Sequence, residues 1–150
     1  MRVLLPPVLV ALLLLAVAAL GWTERPLGGV PFPEDRPTLL ALAIALAGVA
    51  LLGGARAQFA RNGCEIMTFA TPRNLVTTGL FRLSRNPMYL GFVLVLLGAA
   101  LAANVWAALL APLVFLLTAQ LWYILAEEIA AREAFGADYD AYAERTRRWL

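Results

Sequence analysis

The feature that most constrains this chain is a run of 41 residues, 86–126, without one charged side chain. A helix needs about 20 apolar residues to cross a hydrocarbon core, so the run is long enough for two crossings. Asn104 stands near its middle, where a chain that crosses twice must reverse. The run therefore reads as a tight transmembrane hairpin. A hairpin returns its two ends to the same side of the membrane, and both ends are polar. Arg82, Arg85, Asn86 and Tyr89 lead in; Glu127, Glu128 and a polar tail lead out. Their meeting place is where chemistry is expected.

The remaining sequence fits a membrane protein. The chain is 62% hydrophobic and 15% charged, with a mean hydropathy of +0.77. Soluble domains carry about 25% charged residues, which excludes an ordinary soluble fold. Arg2 precedes an uncharged run, 3–23. It has the order of a signal peptide, but its apolar part exceeds the usual ~7–15 residues, and it reads as a retained helix. Pro6 and Pro7 fall in its first turns, where a missing N–H is tolerated. Residues 21–37, rich in proline and glycine, read as a loop with Trp22 at the interface. Residues 38–55 form a second apolar run, in which Gly48, Gly53 and Gly54 allow a neighbouring helix to approach. Residues 56–85 are a polar connection containing Arg56, Arg61, Arg73, Arg82 and Arg85 against Glu65, with a turn signal at Thr71, Pro72, Arg73 and Asn74. Pro87 opens the third helix.

These runs predict an all-α, polytopic membrane protein with about four transmembrane helices, a C-terminal helical hairpin and a cytoplasmic amphipathic tail. Residues 1–55 are an N-terminal helix pair and 56–86 a cytoplasmic connection. Residues 87–150 are the hairpin and tail, all within one integral domain. The arginine bias of the connection places it in the cytoplasm, and an even number of spans puts both termini there. In the tail, helix is expected through Phe135, Gly136 reads as its C-cap, and Asp138 as the cap of a second short helix.

Net charge is +2, and all twelve basic residues are arginines scattered beside apolar runs, which points away from nucleic acid. One cysteine, Cys64, forbids an intramolecular disulfide and reads as a small buried or interfacial residue rather than a nucleophile. The chain has no histidine, so neither a histidine base nor a histidine metal ligand exists, and no metal site is read. Arg85 carries a planar fork suited to a carboxylate; as a lone residue it also reads as a snorkelling helix end. Glu127 and Glu128 project about 100° apart on a helix and so have different partners, or they are simply a solvated helix exit.

The ordered set Gly79-x-Phe81-Arg82-x-Ser84-Arg85-Asn86-Pro87-x-Tyr89-x-Gly91, hairpin, Glu127-Glu128, Phe135-Gly136-x-x-Tyr139-x-x-Tyr142 and Arg147-Arg148-Trp149 resembles the isoprenylcysteine carboxyl methyltransferase family and its phospholipid-methyltransferase-like relatives. The resemblance covers residues 73–150. It implies an integral membrane enzyme, in a bacterial inner membrane, that uses S-adenosyl-L-methionine held at the cytoplasmic end of its C-terminal half. Carried over by position, Arg85, Asn86 and Tyr89 are the catalytic candidates. With Gly91 they line the mouth of the cofactor pocket, Glu127 and Glu128 lie across from them, and Tyr139, Tyr142 and Arg145 belong to a closing tail. The family commonly has histidine at the position of Asn86. Asparagine hydrogen-bonds but is no base, which favours transfer to a carboxylate over transfer to a protonated amine. The implied acceptor is a lipid or small lipophilic molecule entering from the bilayer. Two other readings are a non-catalytic membrane scaffold and, by a more distant similarity, a nicotinamide-dependent membrane reductase.

Overall fold

The structure, a computed structural model, describes residues 5–23, 38–63 and 74–150. Among them every regular element is helical. Helix α1 spans Pro6–Thr23 and α2 spans Thr38–Arg61; a single turn, α3, covers Leu80–Leu83, and α4 covers Pro87–Ala103. A continuous helical stretch then runs Trp106–Phe135. It comprises a 3-10 turn at Trp106–Leu109, α5 at Leu110–Thr118, a π turn at Ala119–Tyr123 and α6 at Ile124–Phe135. Helix α7, Ala137–Arg145, follows.

Three of these helical stretches, Pro6–Thr23, Thr38–Arg61 and Trp106–Phe135, are long and apolar enough to cross a membrane. Pro87–Ala103 is a shorter apolar helix of 17 residues, about 26 Å long, beside a hydrocarbon core of ~30 Å. The chain is an all-α integral membrane protein with three to four spans. Leu12, Leu15, Leu39, Leu46, Leu117 and Leu121 point outward, as lipid-facing side chains must.

Glycine decides how α2 meets α4. A Cβ on Gly48 would stand 2.7 Å from Gly91 O, and one on Gly98 would stand 2.6 Å from Ala41 O. Without side chains at these points the two backbones touch. In lipid, where apolar surface alone does not hold helices together, such close packing is the main attraction available. Helices α1 and α5 close the other side of α4 around Leu96, Ala100, Phe115, Ala119, Tyr123 and Ile124, all fully buried.

The reversal falls at Asn104, which takes the left-handed conformation (φ 55°, ψ 44°) while its N–H bonds to Leu101 O. Asparagine is one of the few non-glycine residues that adopts this conformation readily. Pro87 occupies the first turn of α4, and Gly136, at φ 52°, ends α6 with its N–H on Arg132 O.

Several boundaries differ from the sequence reading. Helix α1 continues through Gly21 to Thr23, and α2 continues past residue 55 to Arg61. The first charge marks where a helix leaves the apolar layer; it does not end the backbone hydrogen bonding. Asp138 does not cap α7. Gly136 holds that position, and Asp138 and Asp140 lie in the first turn, where carboxylates oppose the positive helix end. The proline-rich loop beyond Thr23, Cys64, Glu65 and the turn at Thr71, Pro72 and Arg73 lie outside the described residues.

Candidate active site

The hairpin lays the first turn of α4 against α6, 38 residues further along the chain. Tyr89 donates its hydroxyl to Glu127 Oε1 at 2.6 Å. The phenol ring is nearly parallel to that of Tyr123, with centroids 6.0 Å apart. Tyr123 is itself fully buried, so Tyr89 has little freedom to turn. Among the described residues Glu127 Oε2 accepts no hydrogen bond.

Glu128, the neighbouring acid, faces a different set, as the 100° step requires. Its carboxylate receives Arg148 as a fork, Nε on Oε1 at 2.9 Å and Nη2 on Oε2 at 2.7 Å. Arg85 Nη1 lies 3.4 Å from Glu128 Oε1 and donates to the Tyr139 hydroxyl at 3.2 Å. The side chains of Glu128 and Arg85 are only 8% and 13% exposed. A buried acid without such partners would be unaffordable at this depth. Arg85 Nε is buried and makes no hydrogen bond among the described residues. A guanidinium N–H in that state is poised for an acceptor that the described residues do not provide.

The tail is strapped across this cluster by backbone groups. Helix α7 stops at Arg145, and Thr146 is extended, so the last residues turn back over α3 and α4. Arg85 N–H donates to Arg147 O at 3.0 Å, and Asn86 Nδ2 donates to Arg148 O at 2.9 Å. Ser84 Oγ donates to Arg148 O at 3.4 Å and accepts Asn86 N–H at 3.1 Å. The Tyr142 hydroxyl donates to Phe81 O at 2.6 Å, and Trp149 Nε1 donates to Gln120 Oε1 at 2.8 Å.

These surroundings shift the titrating groups of the tail. Burial pushes the Tyr142 phenol up to about 12. Burial, and then the charge of Glu128, raise Tyr139 against the opposing pull of Arg85. The hydrogen bonds from Arg148 to Glu128 raise Arg148 further. Both phenols are therefore neutral at physiological pH, Tyr142 as donor to Phe81 O and Tyr139 as acceptor from Arg85, and Arg148 is a permanent cation.

Arg85, Tyr89, Glu127, Glu128 and Tyr139 are thus brought together. Asn86 and Tyr142 lie at the rim, where their polar groups fasten the tail and the α3 turn. Two expected residues are elsewhere. Gly91 faces α2, because a Cβ there would stand 2.7 Å from Leu52 Cγ and 2.9 Å from Gly48 O; its bareness serves helix packing. Arg145 is exposed and its Nε bonds back to Ala141 O at 2.9 Å. The tail arginine that reaches the cluster is Arg148. Gln120 is a further participant that the sequence does not single out, and Ser84 and Trp149 stand in the ordered motif without an assigned role. The Arg147-Arg148-Trp149 ending was the available signal for the last of these.

An apolar hairpin that closes a buried acid–arginine–tyrosine cluster at one membrane-facing end defines an integral membrane protein with a polar site at the rim of its helices. The phospholipid methyltransferase family model matches residues 37–138, more than half of the chain, and the chain belongs to that family. The match begins at α2 and ends at the start of α7, so α2 carries family signal that the sequence reading confined to residues 73–150. No curated protein and no solved structure matches the chain.

Proposed function

We propose that this protein transfers a methyl group from S-adenosylmethionine to a nucleophile, a carboxylate first among them, on a lipophilic acceptor. Its family is one of methyltransferases. The observation that carries the site is the buried Arg85, with Nε unpartnered among the described residues, set beside two acids on α6.

S-adenosylmethionine supplies a methyl group on a sulfonium, which needs only a nucleophile aligned behind it. The chain's part is then placement and exclusion of water. Arg85, with its open Nε, suits the carboxylate of the cofactor. Glu127, held by Tyr89 through one oxygen and with the other open among the described residues, suits its ammonium or ribose hydroxyls. Glu128 is committed to arginine and so positions Arg85 and Arg148. Tyr139 and Tyr142 offer aromatic bodies for the adenine. Asn86 orients the tail through Arg148 O, and a carboxylate acceptor requires no base from it. The arginines between α2 and α4 support a cytoplasmic site, and we take a bacterial inner membrane as its setting.

Purified protein given tritium-labelled S-adenosylmethionine and a lipid extract should pass label into organic-soluble product. The label should be alkali-labile if the acceptor is a carboxylate. Oxidation of NADPH in place of label transfer would establish the reductase reading, and absence of both reactions would leave the scaffold.

A further inference from the structure

Gln120 is an amide set within the membrane-spanning stretch Trp106–Phe135. It lies seven residues before Glu127, about 10 Å deeper along the helix axis. The backbone around it is the π turn Ala119–Tyr123, a distortion frequent at functional sites. Trp149 packs on the hydrophobic core and donates its indole N–H to Gln120 Oε1. An indole nitrogen only donates, so this bond fixes which end of the amide is which. The amide nitrogen then points away from Trp149. Gln120 is half-buried, and that nitrogen has no acceptor among the described residues. Polar groups without partners are strongly disfavoured at membrane depth. Tyr123, one turn further on, stacks on Tyr89, whose hydroxyl holds Glu127. The oriented amide thus lies one turn from the tyrosine pair that holds the acid of the candidate active site.

We propose that the Gln120 amide, aimed by Trp149, determines acceptor specificity by donating a hydrogen bond to an oxygen at the head of an acyl chain lying beside the π turn. This rests on the proposed methyl transfer only for the identity of the reaction. The oxygen belongs to a free fatty carboxylate or to a lipid ester, and Gln120 serves both in the same way.

The test is scintillation-proximity binding of tritiated oleate to full-length protein in detergent, with competition by methyl oleate and by 1-octadecene. The variants are Gln120→Met, Gln120→Leu, Trp149→Phe and the Gln120→Met/Trp149→Phe pair. Loss of the donor should weaken oleate and methyl oleate by about tenfold in both Gln120 variants and leave 1-octadecene unchanged. Trp149→Phe should weaken them less, because the amide remains and only its aim is lost, and the pair should match Gln120→Met. Two side-chain shapes at position 120 separate the donor from packing. Oleate competed by methyl oleate points to either oxygen source; oleate alone points to the free carboxylate.

Equal effects of Gln120→Met and Trp149→Phe would show that the amide only anchors the tail and would overturn the proposal. So would wild-type protein that binds neither oleate nor methyl oleate, or a loss of 1-octadecene binding equal to that of oleate. Calorimetry with S-adenosylhomocysteine on the same samples separates the two readings. Gln120-dependent oleate binding without cofactor binding keeps this inference and removes methyl transfer; the converse keeps methyl transfer alone.

Discussion

Replacing Glu128 by glutamine keeps the side-chain volume and removes the charge that Arg85 and Arg148 share. The wild-type carboxylate takes contacts at 2.9, 2.7 and 3.4 Å from two guanidiniums. Glu128 is 8% exposed, but Arg148 is 27% exposed and can recover some hydration. Breaking a buried pair by removing one partner typically costs ~3–5 kcal/mol. Partial exposure of Arg148 brings the expected loss to about 2–3 kcal/mol. At roughly 2–4 °C per kcal/mol for a chain of this size, the thermal midpoint should fall by about 5–10 °C. Arg148→Met should lose less, since Glu128 retains Arg85. The double variant should be more stable than the sum of the two losses by at least ~1 kcal/mol, because the second change removes a charge that the first left unpaired. Intrinsic fluorescence during heating in dodecyl maltoside micelles reads all four proteins. Losses that simply add to within ~0.5 kcal/mol would show that the fork is not an energetic unit and would refute the reasoning.

Three other outcomes follow from the geometry. Gly98→Leu should disrupt α2–α4 packing, since even a Cβ meets Ala41 O at 2.6 Å; a monodisperse protein of wild-type thermal midpoint would contradict the packing. Tyr142→Phe leaves Phe81 O without its donor and should lower stability by ~1–3 kcal/mol at neutral pH. The Tyr142 phenol is raised in the fold from 10.0 to about 12, so its contribution is complete below pH 10 and is lost as pH rises towards 12. Alkaline melting curves should therefore converge for wild type and Tyr142→Phe across that window, and parallel curves would contradict the assignment.

The hairpin was legible because an uncharged run of twice a membrane's thickness, with asparagine at its centre, leaves little else to form. The division of labour between Glu127 and Glu128 was legible too, since helix geometry alone separates adjacent side chains. What escaped the sequence depends on backbone that local pattern does not encode. Position in the family motif points to Arg145, but α7 ends at Arg145 and the extended Thr146 carries Arg148 back to Glu128. Gly91 sits two residues after Tyr89, about 200° around α4, so it could not share the face of Tyr89. Gln120 was hidden as one polar residue in an apolar run, and the π turn that surrounds it leaves no mark in hydropathy. Asn86 was weighed as a missing histidine, whereas its amide is occupied with the tail carbonyl of Arg148.

The most direct measurement is isothermal titration of detergent-purified protein with S-adenosylhomocysteine, on wild type and on Arg85→Ala, Glu127→Ala and Arg145→Ala. Loss of a buried charged partner costs ~2–5 kcal/mol, and ~1.4 kcal/mol is one decade of affinity. Wild type should bind; Arg85→Ala and Glu127→Ala should each bind more than tenfold more weakly, and Arg145→Ala, changed at an exposed side chain, should match wild type. No binding by wild-type protein would contradict the proposed methyl transfer, and equal affinity in all four would contradict the site at the meeting of α4 and α6.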